Sequence, residues 1–414
     1  MASLKKELSQ SLRSRDISSA GHAIDALIKI GTAEAVDVIC DVGLRADLYE
    51  FERAVGRQLI HIENPAGLQR LCRLANKHKD FRVRVILTLV LTQRPEAEAY
   101  KAVLTSLYDT MDSVVLTALE GLQRKNSLSS VDHLIRALKF QEEKGRTEGL
   151  VAYEIRRTLL KITGEDLTRA DDWKNFWEPR KDTYVRPPAD RVKERVTSVR
   201  KEPALFFGIE VPADRVVFIL DVSDSMKIKD PLPEEPGAGG KKDPRGTGVG
   251  RGKKEKKPDP RDLPASRMRL TRVQKELIAV LRKLPPTTRF NIVTFNHEIG
   301  TFQEGLVMAG SSNKQRAIEF VRGFNATGET WTDQALEVAF GIPEVVAFFL
   351  LSDGAPRRNN QLLPIEPILE WVREENRFRR IRVNTVGFLQ AGSNLRRFMR
   401  RLAHQNNGQY KELR

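Results

Sequence analysis

The apolar positions along this chain change period once. From residue 1 to about 180 they recur three and four residues apart, the spacing of one helix face. Ala20 to Cys40 carries the pattern on both sides of Gly31-Thr32, and Tyr49 to Ala75 on both sides of Asn64-Pro65. Phe81 to Leu107 breaks at Gln93-Arg94-Pro95, and Asp112 to Leu138 breaks at Asn126-Ser127. Gly149 to Ile162 adds a last amphipathic helix. The breaks are turn or cap signals, so the pattern predicts helix pairs in units of roughly 30–36 residues. Past residue 204 the pattern shortens to strand-length runs. Arg215 to Asp221 is a continuous, β-branched-rich run ending in a carboxylate, which predicts a strand buried on both faces. Val345 to Leu351, before Ser352-Asp353-Gly354, is a second such run.

Around those two runs, strands are expected at 290–295, 299–302, 383–386 and 409–413. Helices are expected at 268–284, 314–324, 333–340, 365–376 and 394–406. Strands alternating with helices predict an α/β doubly wound open sheet, in which ligands sit beyond the C-terminal strand ends at the switch point. The helical half, 1–180, resembles HEAT-like repeats, as in Ser113 to Leu119 and Val131 to Leu138, which implies an all-α solenoid. The expected organisation is therefore a HEAT-like domain at 1–180, a linker at 181–203, and an α/β domain at 204–414. Trp173, Phe176 and Trp177 are expected to close the helical half as an aromatic cap. Inside the α/β half, about 227–266 is rich in Pro, Gly and Lys with no apolar period, and is expected to be a disordered basic insert. Its glycines match neither G-x-x-x-x-G-K-[ST] nor G-x-G-x-x-G, which argues against nucleotide binding.

Composition narrows the class. With 414 residues, 40% hydrophobic and 30% charged, the chain has room for two or three soluble domains. Neither an apolar signal-peptide core at the start nor a run of 18 apolar residues is found, so a cytoplasmic protein is expected. Cys40 and Cys72 lie in helical patterns and are expected to be core thiols. The net charge of +15 is unevenly placed. Residues 1–180 hold 28 basic and 26 acidic side chains, whereas 221–414 hold 34 and 23.

The candidate chemistry follows the strand ends. Asp221, Ser223 and Ser225 stand at i, i+2 and i+4 in the loop leaving the first buried run. One carboxylate and two hydroxyls are small, hard oxygens that suit Mg²⁺ or Mn²⁺ and not zinc. Thr330, in Gly328-Glu329-Thr330, and Asp353, at the end of the second run, add two more oxygen donors. These three loops resemble the metal-ion-dependent adhesion site of a von Willebrand factor type A (VWA) domain. Asp221, Ser223, Ser225, Thr330 and Asp353 take its five places, and the likeness covers about 205–414.

The resemblance implies Mg²⁺, with Mn²⁺ able to replace it, and a protein partner that completes the metal shell with an acidic side chain. Ser223 and Ser225 would ligate directly, Asp221 and Asp353 directly or through water, and Thr330 according to state. It implies an intracellular interaction scaffold, with assemblies run by AAA-type ATPases among the settings of such domains. Two positions depart from the family's usual glycines, Asp224 and Glu329, and are expected either to leave an acidic rim around a charge-balanced metal or to be solvated surface side chains. No H-E-x-x-H or C-x-x-C is present, and the histidines, His297 and His404 among them, show no ligand or nucleophile spacing. An enzyme is not expected. The alternative reading comes from the Ro ribonucleoprotein, which also joins helical repeats to a VWA domain and binds small RNAs. The near-neutral 1–180 argues against it, because RNA binding depends on basic surface.

Overall fold

Polar punctuation sets the helix ends. The side chains of Asp16, Thr32, Asn64 and Asp80 accept hydrogen bonds from the backbone N–H groups of Ser19, Ala35, Ala66 and Arg82, capping four helix starts. Gly31, Asn126 and Gly164 end three helices in the left-handed conformation that glycine and asparagine tolerate. The computed structural model describes residues 1–186, 202–212, 214–231, 263–388 and 392–413. Most of the expected linker and most of the expected insert lie outside the described residues. The chain divides into two compact units, Met1–Lys201 with Arg377–Arg380, and Glu202–Asn376 with Ile381–Arg414.

The first unit is helical. It comprises α1 (Ala2–Arg13), α2 (Ile17–Ile30), α3 (Ala33–Asp41), α4 (Tyr49–Leu59), α5 (Pro65–Lys77) and α6 (Phe81–Leu91). It continues through α7 (Ala97–Thr105), α8 (Asp112–Lys125), α9 (Val131–Glu143), α10 (Leu150–Thr163) and α11 (Ala170–Trp177). The even-numbered helices α2 to α10 pack in series as one layer. Helices α3, α5 and α7 form a second layer, which α9 and α11 continue beyond the 3-10 turn Ser106–Tyr108. Side chains tie successive pairs together at offsets of 32 to 35 residues: Gln58 to Asp25, Arg70 to Asp37, Lys139 to Asp171, Arg146 to Asp112 and Gln123 to Thr158. A contact that recurs at one repeat length is what a stack of similar units produces. Trp173, Phe176 and Trp177 do cluster, and Tyr184 joins them edge-on to Phe176 and Trp177. Tyr184 also donates to the Thr163 carbonyl at 2.7 Å, so the start of the expected linker belongs to the helical unit.

The second unit is an α/β sandwich around one sheet. Its elements are β1 (Leu205–Phe206), β2 (Ile209–Glu210), β3 (Arg215–Asp221), α12 (Arg269–Lys283), β4 (Arg289–Phe295), β5 (Ile299–Thr301) and β6 (Val307–Met308). Then come α13 (Ser311–Arg322), α14 (Thr332–Gly341), β7 (Ala347–Ser352), β8 (Arg357–Arg358), β9 (Gln361–Leu362) and α15 (Ile365–Asn376). The chain ends with β10 (Arg382–Phe388), α16 (Gly392–Gln405) and β11 (Tyr410–Leu413). The strand order is β11-β10-β7-β3-β4-β5, parallel from β11 to β4, with β5 and β6 antiparallel on β4.

Strand β3 is central and buried on both faces, which explains its unbroken apolar run. Val216, Phe218 and Leu220 join the core under α12 and α13. Val217 and Ile219 join the core under α14, α15 and α16. The first strand has β4 on one side and β7 on the other, so the switch point lies beside β3 and β7. Leu220 pairs with Leu351, which sets Asp221 level with Ser352 at the C-terminal edge.

The expected insert is narrower than 227–266. Residues 228–231 and 263–269 form its stem. The Asp230 amide donates to the Arg267 carbonyl at 3.1 Å, the Arg269 amide to the Ile228 carbonyl at 3.0 Å, and the Lys229 ammonium to the Leu263 carbonyl at 2.6 Å. Composition blurred the boundary because Lys229, Asp230 and Arg267 look like insert residues until their partners are known.

Candidate functional site

Two parallel strands deliver two carboxylates to one edge of the sheet. Asp221 ends β3 fully buried, and Asp353 follows β7 with 3% of its surface exposed. The Asp221 Oδ1 accepts the Ser223 N–H at 2.9 Å, and its Oδ2 accepts the Ser352 hydroxyl at 2.6 Å. Ser225 donates its hydroxyl to Asp353 Oδ1 at 2.6 Å. With that proton used, the 3.1 Å contact between the Ser223 and Ser225 hydroxyls must be donated by Ser223. The chain Ser223–Ser225–Asp353 is therefore a single directed row of oxygens.

Thr330 reaches the same edge on the loop before α14. Its hydroxyl lies against Gly354, where a Cβ would come within 3.0 Å of Thr330 Oγ1. Glycine at 354 thus leaves room for the Thr330 hydroxyl beside the loop that follows β7. Gly328 is required for a different reason. It has φ +73°, and a Cβ there would run into the His297 ring. The structure brings all five predicted residues, Asp221, Ser223, Ser225, Thr330 and Asp353, to one end of the sheet. Ser223, Ser225 and Thr330 line a cavity of about 710 Å³ there.

Burial and like charge govern the electrostatics of this edge. Burial pushes the Asp221 carboxyl up, and the nearby Asp353 charge pushes it further, against the hydrogen bonds from Ser223 and Ser352. Burial also raises Asp353, with Ser225 and Arg269 opposing. Two buried carboxylates that disfavour each other's charge, beside a row of hydroxyl oxygens, suit a small hard cation. Among the described residues no three of His, Cys, Asp and Glu gather as a metal cluster, at this edge or elsewhere. This donor set is two carboxylates and three hydroxyls.

Sequence reasoning missed Arg269. It is 3% exposed, on the first turn of α12, and its Nη1 donates to Asp353 Oδ2 at 2.8 Å. Its Nε donates to Asp230 Oδ1 at 3.0 Å, and Arg272 Nη1 reaches Asp230 Oδ2 at 2.9 Å. The site charge expected from sequence is therefore corrected. Asp230 and Arg272 cancel, and Arg269 offsets one of the two carboxylates. A dication here would leave a positive centre, not a neutral one.

The acidic rim is corrected too. Asp224 pairs with Lys227 at 2.7 Å and accepts the Gly328 N–H at 3.1 Å, which hold its carboxyl below the usual range. Glu329 accepts from the Trp331 indole at 3.0 Å and from the Asn359 and Asn360 amides at 2.9 and 2.5 Å. Those donors lower its pKa and make it an internal fastener. What it fastens is the β8–β9 hairpin, whose two turn residues, Asn359 and Asn360, have φ 50° and 60°. The hairpin was not foreseen, because two-residue strands leave no periodic signal. Its Asn-Asn turn was the available clue.

Comparison with known proteins agrees with the sheet. Residues 264–412 match the family model described as von Willebrand factor type A domain. The human von Willebrand factor A domain-containing protein 3B is 27% identical over 131 residues, 32% of this chain and 10% of that protein. Human protein 3A is 28% identical over 121 residues, 29% of this chain and 10% of that protein. The chain thus matches about a tenth of the length of these relatives. Among solved structures, a von Willebrand factor type A protein from Catenulispora acidiphila aligns at 16% identity with a TM-score of 0.35, covering 49% of this chain and 38% of that one. The C-terminal unit has a VWA-type fold. The family match includes Thr330 and Asp353 and begins after Asp221, Ser223 and Ser225.

Proposed function

We propose that the VWA-type unit of this chain holds Mg²⁺ at Asp221, Ser223, Ser225, Thr330 and Asp353 and uses it to grip an acidic group of a protein partner. The observation that carries this reading is a pair of buried, mutually repelling carboxylates behind the Ser223–Ser225 row, whose two serines line an open cavity. A bound Mg²⁺ would relieve that repulsion and would supply a Lewis-acidic contact for an anion. With Arg269 counted, the loaded centre keeps a positive charge, which favours an acidic ligand over a neutral one.

The helical unit has the stacked form of scaffolds that present extended surfaces. A non-enzymatic role in assembly suits both halves. The absence of a long apolar helix among the described residues means only that none of them crosses a membrane as a helix.

The test is calorimetry with Mg²⁺ and Mn²⁺ on wild type and Asp221→Ala. The variant should lose metal binding and, in a pull-down, metal-dependent partner capture, with its circular dichroism retained. Unchanged metal affinity in the variant would sink the assignment.

A further inference from the structure

One wall of the metal-facing cavity carries a charge that the metal itself does not use. Arg357 lines it, and its backbone N–H donates to the Thr330 carbonyl at 2.9 Å. That bond fixes the Arg357 backbone beside one of the five site residues. Its Nη1 rests on Asn360 Oδ1 at 3.0 Å, on the turn that Glu329 holds by two amides. The side chain is thus aimed by a braced hairpin and not by a loose loop.

The neighbouring arginines differ. Arg358 points the other way, to Asp333 at 2.6 Å and over the Trp331 ring. Arg269 and Arg272 are taken up by Asp353 and Asp230. Among the described residues no carboxylate forms an ion pair with Arg357, and Glu329, on the same cavity, feels its charge while its own oxygens are taken by Trp331, Asn359 and Asn360. A cavity-lining guanidinium with open donors, beside a proposed cation site, is an anion subsite. The lining also includes the opening turn of the 14-residue α16 (Gly392, Ser393, Asn394), the positive end of that helix.

We infer that Arg357 is a second anchor of the site, and that the partner is an acidic peptide segment presenting two carboxylates at once. One would complete the metal shell and the other would bridge to the Arg357 guanidinium. This rests on the metal-dependent reading above and adds the partner's chemistry to it. A single acid would leave Arg357 unpaired in the complex. Arg357 and Thr330 line the same cavity, so two acids one or two residues apart are the segment to test.

The experiment uses the full-length protein loaded with Mn²⁺ and reads displacement of metal-bound water by proton relaxation. The probes are acetyl-Glu-Gln-amide and acetyl-Gln-Glu-amide, each with one acid, against acetyl-Glu-Glu-amide and acetyl-Glu-Gly-Glu-amide, each with two. In wild type at least one diacid should bind about tenfold tighter than the single acids, the effect of one charge-assisted contact. Arg357→Gln should erase that preference while keeping Mn²⁺ affinity and single-acid affinity. Arg358→Gln should keep the preference. Equal binding of all four peptides to the wild type, or a preference that survives Arg357→Gln, overturns the inference while leaving the metal site standing. A wild type that binds no Mn²⁺ overturns the metal site, and this inference with it.

Discussion

Asp221 carries a charge that its surroundings disfavour. It is fully buried, its charged form is disfavoured by burial and by Asp353, and two hydrogen bonds offset only part of that. Such a position is expected where function, not stability, holds the residue in place. Asp221→Asn keeps the shape and removes the charge. The metal-free variant should be more stable than wild type by about 1–3 kcal/mol in urea unfolding. It should also show no rise in Tm on adding Mg²⁺, whereas wild type should show one. A variant less stable than wild type without metal would mean that the carboxylate is a structural acceptor for Ser223 and Ser352.

At the scale of elements, the contact that binds α12 to the end of β7 is the buried Arg269 ion pair. Removing one partner of such a group leaves uncompensated charge in the interior, and Asp230 and Asp353 would both be exposed to that cost. Arg269→Met should destabilise the metal-free protein by about 3–5 kcal/mol. Mg²⁺ should recover part of the loss, because the cation supplies positive charge next to Asp353. The same loss with and without Mg²⁺, by differential scanning fluorimetry, would separate Arg269 from the site.

Elements also show what the sequence could carry. Breaks at Gly31, Pro65, Pro95 and Asn126 marked the helix pairs because caps and helix-breakers act locally, within a turn or two. Strands β3 and β7 were legible because burial on both faces writes an unbroken apolar run. The five site residues were legible from a family likeness, since D-x-S-x-S alone is ordinary loop chemistry. Arg269 was not, because its partners lie 39 residues before it and 84 after it, and nothing in its own neighbourhood signals them. Ser352 was passed over for a similar reason. It looks like a strand terminus until the register sets it level with Asp221.

For the whole molecule, the helical unit should stand alone. Its core residues from Leu8 to Trp177 form one continuous cluster, and its pairs are tied to their own neighbours by bonds at one repeat length. A fragment of residues 1–186 is expected to show a helical circular dichroism spectrum and a single cooperative thermal transition. A spectrum of unfolded chain would contradict that independence.

The order in which the chain supplies the site has a further consequence. Asp221, Ser223 and Ser225 are made first, but β3 has no sheet neighbour until β4 follows, and Asp353 is placed only after β7 has slotted in on its other side. A ribosome-bound chain that has emerged as far as residue 340 would hold four of the five donors and still lack the second carboxylate. Under the proposed function, a half-made copy is therefore silent. It cannot recruit an acidic partner until the central strand is flanked on both sides, so the ability to bind certifies that β4 and β7 have both docked on β3.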